Sequence, residues 1–307
     1  VLETSIATFV ENTISQSQSV NSQGVGANEI TESLWSRIAS PSRQNTLAIY
    51  DGADKSSVKF SDLDSRVASF AQGLIQQGVH SGDRVAVLVP PSIDLIALVY
   101  ACWRIGAVTV IADRGLGIKG LGRAVKSSRV QHVVGVRAAV VAARTLRWAA
   151  RATFIDLKSL RNSMQLEGLS QLALAEPVAD DLAAILFTSG ATGPAKGVRY
   201  THGQLGAQRD ILQAVYNITD PDSFVAAFAP FALFGPALGI TTGLADMDVT
   251  SPATLTAQAL DDACRATGAT MVFASPAALA NVLKTATTNL SSLKQVRLVM
   301  SAGAPVP

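Results

Sequence analysis

The chain contains 307 residues, of which 48% are hydrophobic and 16% are charged. This composition is typical of a globular protein with a large apolar core and argues against disorder over most of the chain. The 25 basic and 23 acidic residues give a formal net charge of +2, which argues against nucleic-acid binding, because nucleic-acid-binding proteins concentrate positive charge. No secretory leader pattern opens the sequence, and we therefore predict a cytoplasmic protein.

The first 30 residues are rich in Ser, Gln, Asn and Thr, and we predict a polar N-terminal segment over 1–30. From about residue 31, short apolar runs alternate with stretches of helical periodicity. Strands are predicted at 84–90, 108–112, 132–136, 183–187, 198–200, 223–228, 271–274 and 296–300. Helices are predicted at 92–105, 119–127, 138–150, 202–216, 254–267 and 276–287. This alternation predicts an α/β fold with mostly parallel β-sheets flanked by helices.

A polar connector near 159–181 interrupts the alternation, and it predicts two lobes, at about 31–180 and 181–307. The segment 223–245 contains no charged residue and is long enough to cross a bilayer. Because it contains Pro230, Pro236 and three glycines, we favour a strand, a loop and a helix inside the core, with no membrane span.

Few side chains suggest nucleophilic or metal chemistry. Cys102 and Cys264 lie in apolar helical stretches and are predicted to be buried structural thiols. The three histidines lie in no catalytic or zinc-binding motif, and no residue is predicted to bind a metal. His202 opens a predicted helix after Thr201, a candidate N-cap, and a surface capping role is favoured for it over catalysis.

A Gly-rich loop follows the apolar strand at 183–187. Glycines let successive backbone N–H groups face one anion, hydroxyl side chains add donors, and a lysine can neutralise phosphate oxygens. The candidate phosphate-binding residues are Thr188, Ser189, Gly190, Ala191, Thr192, Gly193 and Lys196. The loop is not a Walker A motif, because Lys196 is followed by glycine and is not preceded by one. A small-residue turn between two strands is the alternative.

The loop at 188–197 resembles the TSG-[ST]-TG-x-PKG signature of the adenylate-forming superfamily, which includes acyl-CoA synthetases, luciferases and peptide-synthetase adenylation domains. It departs from the signature at Ala191, which lacks the usual hydroxyl, and at Pro194-Ala195, where x-Pro is usual. Further matches to the family follow in the right order at 60–63, 82–86, 106–113 and 301–305.

The resemblance implies the incomplete N-terminal domain of an enzyme that uses ATP, with Mg²⁺, to convert a carboxylic acid into an acyl-adenylate. It also implies that a second segment lies against adenine, formed by Ser301, Ala302, Gly303, Ala304 and Pro305. A carboxylate must attack the α-phosphorus of ATP, so charge neutralisation and alignment are the main catalytic needs.

The aromatic run at 230–236 resembles the family's acyl-pocket motif without its histidine. Phe231, Phe234 and Gly235 are the candidate acyl-pocket residues, and ordinary core packing is the alternative for the two rings. The segments 231–239 and 247–250 resemble a narrower group, the β-lactone synthetases of olefin biosynthesis. Their substrate is a long-chain 3-hydroxy acid, and they need no thiol acceptor. A fatty acyl-CoA synthetase, which uses coenzyme A, and a non-catalytic nucleotide- or acyl-binding module remain alternatives.

The family's Mg²⁺-binding Glu, ribose-binding Asp and catalytic Lys have no counterpart in the 307 residues. We therefore expect a truncated chain or fragment without its C-terminal domain, which is inactive alone in ATP–pyrophosphate exchange. The strand at 296–300 is expected to leave an open edge that favours self-association.

Overall fold

The computed structural model describes residues 32–112, 114–162, 176–187, 196–287 and 290–302. The predicted polar segment 1–30 lies outside the described residues. The strands are β1 (Leu47–Asp51), β2 (Ser56–Lys59), β3 (Arg84–Leu88), β4 (Val108–Ala112), β5 (His132–Gly135), β6 (Thr153–Asp156), β7 (Leu182–Phe187), β8 (Gly197–Thr201), β9 (Ser223–Ala226), β10 (Thr241–Leu244), β11 (Met271–Phe273) and β12 (Leu298–Met300). The helices are α1 (Phe60–Gln76), α2 (Ile93–Arg104), α3 (Gly117–Ser127), α4 (Arg137–Thr145), α5 (Leu157–Asn162), α6 (His202–Val215), α7 (Ala229–Ala232), α8 (Phe234–Leu238), α9 (Ala257–Thr267) and α10 (Pro276–Thr285).

The described strands form two six-stranded sheets. Sheet A has the order β12-β11-β9-β10-β1-β2, and sheet B has the order β6-β5-β3-β4-β7-β8. Every neighbouring pair is parallel except β1–β2 and β7–β8. The predicted mostly parallel α/β fold is confirmed.

Helices cover the sheets in layers, because buried strands must be protected from water on both faces. Helices α1 and α2 lie in the core that both sheets share, and every residue of α2 from Ile93 to Trp103 is buried. Helices α9 and α10 cover the outer face of sheet A. Helices α3 and α4 cover the outer face of sheet B.

The two sheets do not divide the chain at residue 180. Sheet A takes β1 and β2 from the first part of the chain and β9 to β12 from the last part, whereas sheet B uses the middle. The polar connector near 159–181 predicted lobes on either side of it, but the two strands that follow the connector complete sheet B, because β7 pairs with β4 and β8 pairs with β7. Parallel pairing across a crossover, which leaves no local sequence signal, sets this arrangement.

Caps fix the ends of several helices, and the cap predicted at Thr201 is confirmed. Ser92 Oγ accepts a hydrogen bond from the backbone N–H of Leu95 at 3.2 Å. Thr201 and Gln204 form a reciprocal capping box at the start of α6. Gly268 ends α9 with φ 62°, a left-handed conformation that favours glycine.

The segment 223–245 folds as a strand, two short helices and a further strand, β10. No helix in the described part of the chain has the length and apolar character needed to cross a membrane. Cys102 and Cys264 are both buried and free, as predicted. Strand β12 lies at the edge of sheet A with Val299 exposed, and self-association through it stays a prediction.

Candidate functional site

The predicted phosphate loop connects two antiparallel strands, β7 and β8. Strands β7 and β8 pair antiparallel, and Phe187 lies opposite Gly197 in the register. A Cβ at Gly197 would lie 2.7 Å from Phe187 Cζ, so glycine allows the hairpin to close at this point. Residues 188–195 lie outside the described residues, and Lys196, which immediately precedes β8, is exposed.

An apolar cavity of about 530 Å³ lies beside this hairpin. It opens at the carboxyl ends of β3, β4 and β7, the edge at which parallel α/β sheets commonly bind ligands. The inner face of sheet B supplies one wall through alternate residues of four strands. These residues are Val87, Thr109, Ile111, Ala184, Leu186, Val198 and Tyr200.

Four phenylalanines form the opposite wall and its support. Phe231 stacks on Phe273 with ring centroids 3.9 Å apart and an interplanar angle of 9°. Phe234 and Phe228 lie 6.1 Å and 6.0 Å from the Phe231 ring. Phe231, Phe234 and Phe228 line the cavity, and Phe273 lies behind Phe231.

Two buried contacts hold this aromatic segment in place. The Tyr100 hydroxyl donates a hydrogen bond to the carbonyl of Leu233, the residue between α7 and α8. Gly235 packs against β10, where an added Cβ would meet Thr242 Oγ1 at 1.6 Å. Gly235 is therefore needed for close packing of α8 and does not itself line the cavity, in contrast to the two predicted aromatic residues.

The cavity wall contains few polar groups. Trp103 Nε1 and Thr109 Oγ1 both donate to the carbonyl of Ala183, at 3.1 Å and 3.2 Å. The other polar side chains of the wall are those of Tyr200 and Gln208. The cavity thus offers an apolar surface with hydrogen-bonding groups on the β8–α6 side only.

The predicted adenine segment begins at the carboxyl end of sheet A. Ser301 and Ala302 directly follow β12, and the Ser301 hydroxyl is buried without a partner among the described residues. Gly303, Ala304 and Pro305 lie outside the described residues. Neither Ser301 nor Lys196 lines the apolar cavity, whereas Val198, two residues beyond Lys196, does.

The surface position predicted for His202 is wrong. The side chain is 2% exposed, and its ring meets Trp35 edge-on at 6.2 Å. Burial lowers the pKa of His202 to about 4. The Thr201 side chain caps the helix, so His202 has no capping role that would keep it at the surface.

The described residues contain no group of three or more His, Cys, Asp or Glu side chains placed to hold a metal ion. Protein side chains in this part of the chain therefore do not form a metal-binding cluster of their own.

Several cavity residues could not be identified from local motifs. Phe228 was predicted only as the end of a strand, and Phe273 as part of a core strand. Thr109, Ala184 and Tyr200 are far apart in sequence and meet only through the sheet register. Period-two alternation in strands near a candidate loop is the signal that could have found them.

A family model described as AMP-binding enzyme matches residues 37–307. The olefin beta-lactone synthetase of Xanthomonas campestris pv. campestris is 37% identical over 272 residues, covering 86% of this chain and 48% of that protein. The olefin beta-lactone synthetase of Stenotrophomonas maltophilia is 35% identical over 272 residues, with the same coverage of each chain, 86% and 48%.

Among solved structures, an o-succinylbenzoate coenzyme A synthetase from Bacillus subtilis, in complex with AMP, matches with a TM-score of 0.72 at 20% identity. The match covers 89% of this chain and 67% of that one, and at this identity it shows the fold. The chain spans about half the length of the curated relatives it matches.

Proposed function

We propose, from the premise that this chain belongs to the AMP-binding enzyme family, that the protein activates a long-chain carboxylic acid with ATP. The product is an acyl-adenylate, and the substrate we favour is a 3-hydroxy fatty acid that then closes to a β-lactone. Support comes from the identity of 35–37% to olefin beta-lactone synthetases and from the chemistry of the cavity.

The apolar cavity is the observation that carries this proposal. Burial of each methylene group contributes about 0.8 kcal/mol, so a cavity of about 530 Å³ lined by aromatic and aliphatic side chains favours a long alkyl chain. The Trp103 and Thr109 donors are already bound to the carbonyl of Ala183, so this end of the cavity offers little to a polar ligand. The polar end of the acid would lie at the carboxyl end of β7, beside Val198 and the phosphate loop, and the alkyl chain would run inward past Ala184.

The activation step needs neutralisation of repelling charges. The acid's carboxylate oxygen attacks the α-phosphorus of ATP, and the bond to the β-phosphate oxygen breaks to release pyrophosphate. Lys196, exposed directly before β8, would supply a positive charge for binding these phosphates. Mg²⁺ would be bound mainly by the phosphate oxygens of ATP, its usual mode at such sites.

The second step needs no further substrate. The 3-hydroxyl oxygen attacks the adenylate's acyl carbon, the bond from that carbon to the AMP oxygen breaks, and the hydroxyl proton is released. A chain held along the cavity wall keeps the hydroxyl and the acyl carbon in one confined space, which favours intramolecular closure over hydrolysis.

The test is product analysis with the whole protein, ATP, Mg²⁺ and a long-chain 3-hydroxy acid, with and without coenzyme A. We expect a β-lactone and AMP without any thiol, and no lactone from the matched acid that lacks the 3-hydroxyl. Strict dependence on coenzyme A would instead assign an acyl-CoA synthetase. Binding of an acyl-adenylate analogue without turnover would assign a non-catalytic module.

A further inference from the structure

One segment of the chain concentrates the positive charge. Residues 114–155 contain nine Lys or Arg residues and no Asp or Glu, although the whole chain has a net charge of only +2. The rest of the molecule is therefore net acidic. The overall charge balance conceals a basic region, which becomes visible only when the segment is placed on the fold.

Eight of these basic side chains are exposed. They are Lys119, Arg123, Lys126, Arg129, Arg137, Arg144, Arg147 and Arg151. None of them forms an ion pair with another residue in the described ranges. Arg144 packs over the Phe154 ring at 5.9 Å from its centroid, and this contact leaves its charge uncompensated.

Five of these side chains lie on helices α3 and α4, which cover the outer face of sheet B, and Arg129, Arg147 and Arg151 lie in the segments that follow these helices. Helix α3 buries Gly120, Ala124 and Val125, and Lys119, Arg123 and Lys126 follow one another at i, i+4 and i+7 on a different stripe. Positions three and four apart lie on one face of a helix, so the three cations form a single row.

Helix α4 repeats the arrangement. It buries Ala143, while Arg137, Val141 and Arg144 are exposed at i, i+4 and i+7. Trp148, which follows α4, connects it to α3, because its indole lies 2.6 Å from the position that a Cβ at Gly122 would occupy. The segment that ends α4 therefore packs against α3, and both helices cover the same outer face of sheet B.

Large aliphatic side chains lie among the cations. Ile118, Val141 and Leu146 are 65%, 55% and 50% exposed. Like charges held in one row repel, and exposed aliphatic side chains lose the hydrophobic stabilisation that burial would give. A partner that is anionic at its surface and apolar beneath would neutralise the cations and bury the aliphatic side chains.

We propose that this α3–α4 face, defined by the eight exposed cations and the three aliphatic side chains, binds the surface of a membrane rich in anionic phospholipids. The cations contact headgroup phosphates, and Ile118, Val141 and Leu146 enter the boundary between headgroups and acyl chains. A nucleic acid bound to this face would neutralise the cations but would leave the aliphatic side chains exposed to water. The proposal stands on surface chemistry and is independent of the proposed reaction.

The experiment measures co-sedimentation of the whole protein with vesicles of phosphatidylcholine alone or of phosphatidylcholine with phosphatidylglycerol. We expect binding to the anionic vesicles only, weakened by added salt because charges at this surface are screened. Each basic residue near an anionic surface contributes roughly a fivefold gain in binding, so K119Q/R123Q/K126Q together should reduce it by on the order of a hundredfold.

A matched variant controls for net charge. Lys55, Lys284 and Lys294 are also exposed but lie outside the α3–α4 face. Changing all three to Gln should leave vesicle binding within about twofold of the wild type, because charges beyond a Debye length are screened. Ile118→Ser tests insertion separately, and it should reduce the binding that remains at high salt. Circular dichroism of each variant checks that the fold is retained.

Three outcomes would overturn the proposal. The first is equal binding to neutral and anionic vesicles, and the second is an equal loss in both triple variants. The third is tighter binding to duplex DNA or to polyglutamate than to anionic vesicles at the same salt concentration. That last result would assign the α3–α4 face to a nucleic acid or to an acidic protein.

Discussion

Narrowing the cavity at Ala184 should shorten the acyl chain that the protein accepts. Strand alternation places this side chain on the inner face of sheet B, on the cavity wall. Ala184→Val adds two carbon atoms to that wall, and a bound chain that reaches it loses the burial of about two methylene groups. At about 0.8 kcal/mol for each, the loss is about 1.6 kcal/mol, or roughly 15-fold in kcat/KM.

The assay compares kcat/KM for 3-hydroxy acids of increasing chain length, using pyrophosphate release with saturating ATP. Acids too short to reach Ala184 should keep their activity, and longer acids should lose it. Ala286→Val, at an exposed position outside the cavity, should change neither group. A uniform loss at all chain lengths would refute the reasoning, because it would indicate a general defect in folding or in ATP use.

Three further predictions follow from individual contacts. Lys196→Ala in the whole protein should lower ATP–pyrophosphate exchange by roughly 100-fold without changing the melting temperature, because the side chain is exposed; unchanged exchange would contradict its phosphate role. Gly235→Ala should destabilise the fold by about 1–3 kcal/mol in urea unfolding, and Thr242→Ala in the same chain should restore most of this loss, whereas additive losses would contradict the contact. His202 is held neutral in the folded state, with its pKa lowered from 6.5 to about 4, so the unfolded chain binds a proton that the folded chain does not. Stability should therefore fall by about 3 kcal/mol as the pH is lowered from 6.5 to 4. His202→Gln should flatten that slope in urea unfolding measured across this pH range, and an unchanged slope would point to other groups.

Local signals predicted the parts of the fold that depend on neighbouring residues. The strands at Arg84–Leu88 and Val108–Ala112 follow turn signals and are short apolar runs, and they were predicted to within a few residues. The helix cap at Thr201 was also predicted, because a cap is a contact between residues three positions apart.

Strand β10 was not predicted from local signals. Thr241–Leu244 closely follows α8 and lies inside the uncharged segment 223–245, whose second part was predicted to be a helix. Its true partners are β1 and β9, which lie elsewhere in the chain. Short apolar runs are ambiguous between helix and strand until their pairing is known.

Local signals likewise predicted only part of the candidate site. Phe231 and Phe234 were found from a contiguous motif, and both line the cavity. Thr109, Ala184 and Tyr200 became neighbours only through the register of β4, β7 and β8. Gly235 belongs to the same motif, but glycine is required there because a larger residue would clash with the Thr242 side chain on β10.

The most direct measurement of the central claim is a crystal structure of the whole protein with a non-hydrolysable analogue of a long-chain acyl-adenylate. The account predicts that the alkyl chain occupies the cavity between the Phe231–Phe234 segment and the inner face of sheet B, with Lys196 on the nucleotide side. An alkyl chain bound elsewhere, with this cavity empty or filled by side chains, would contradict it.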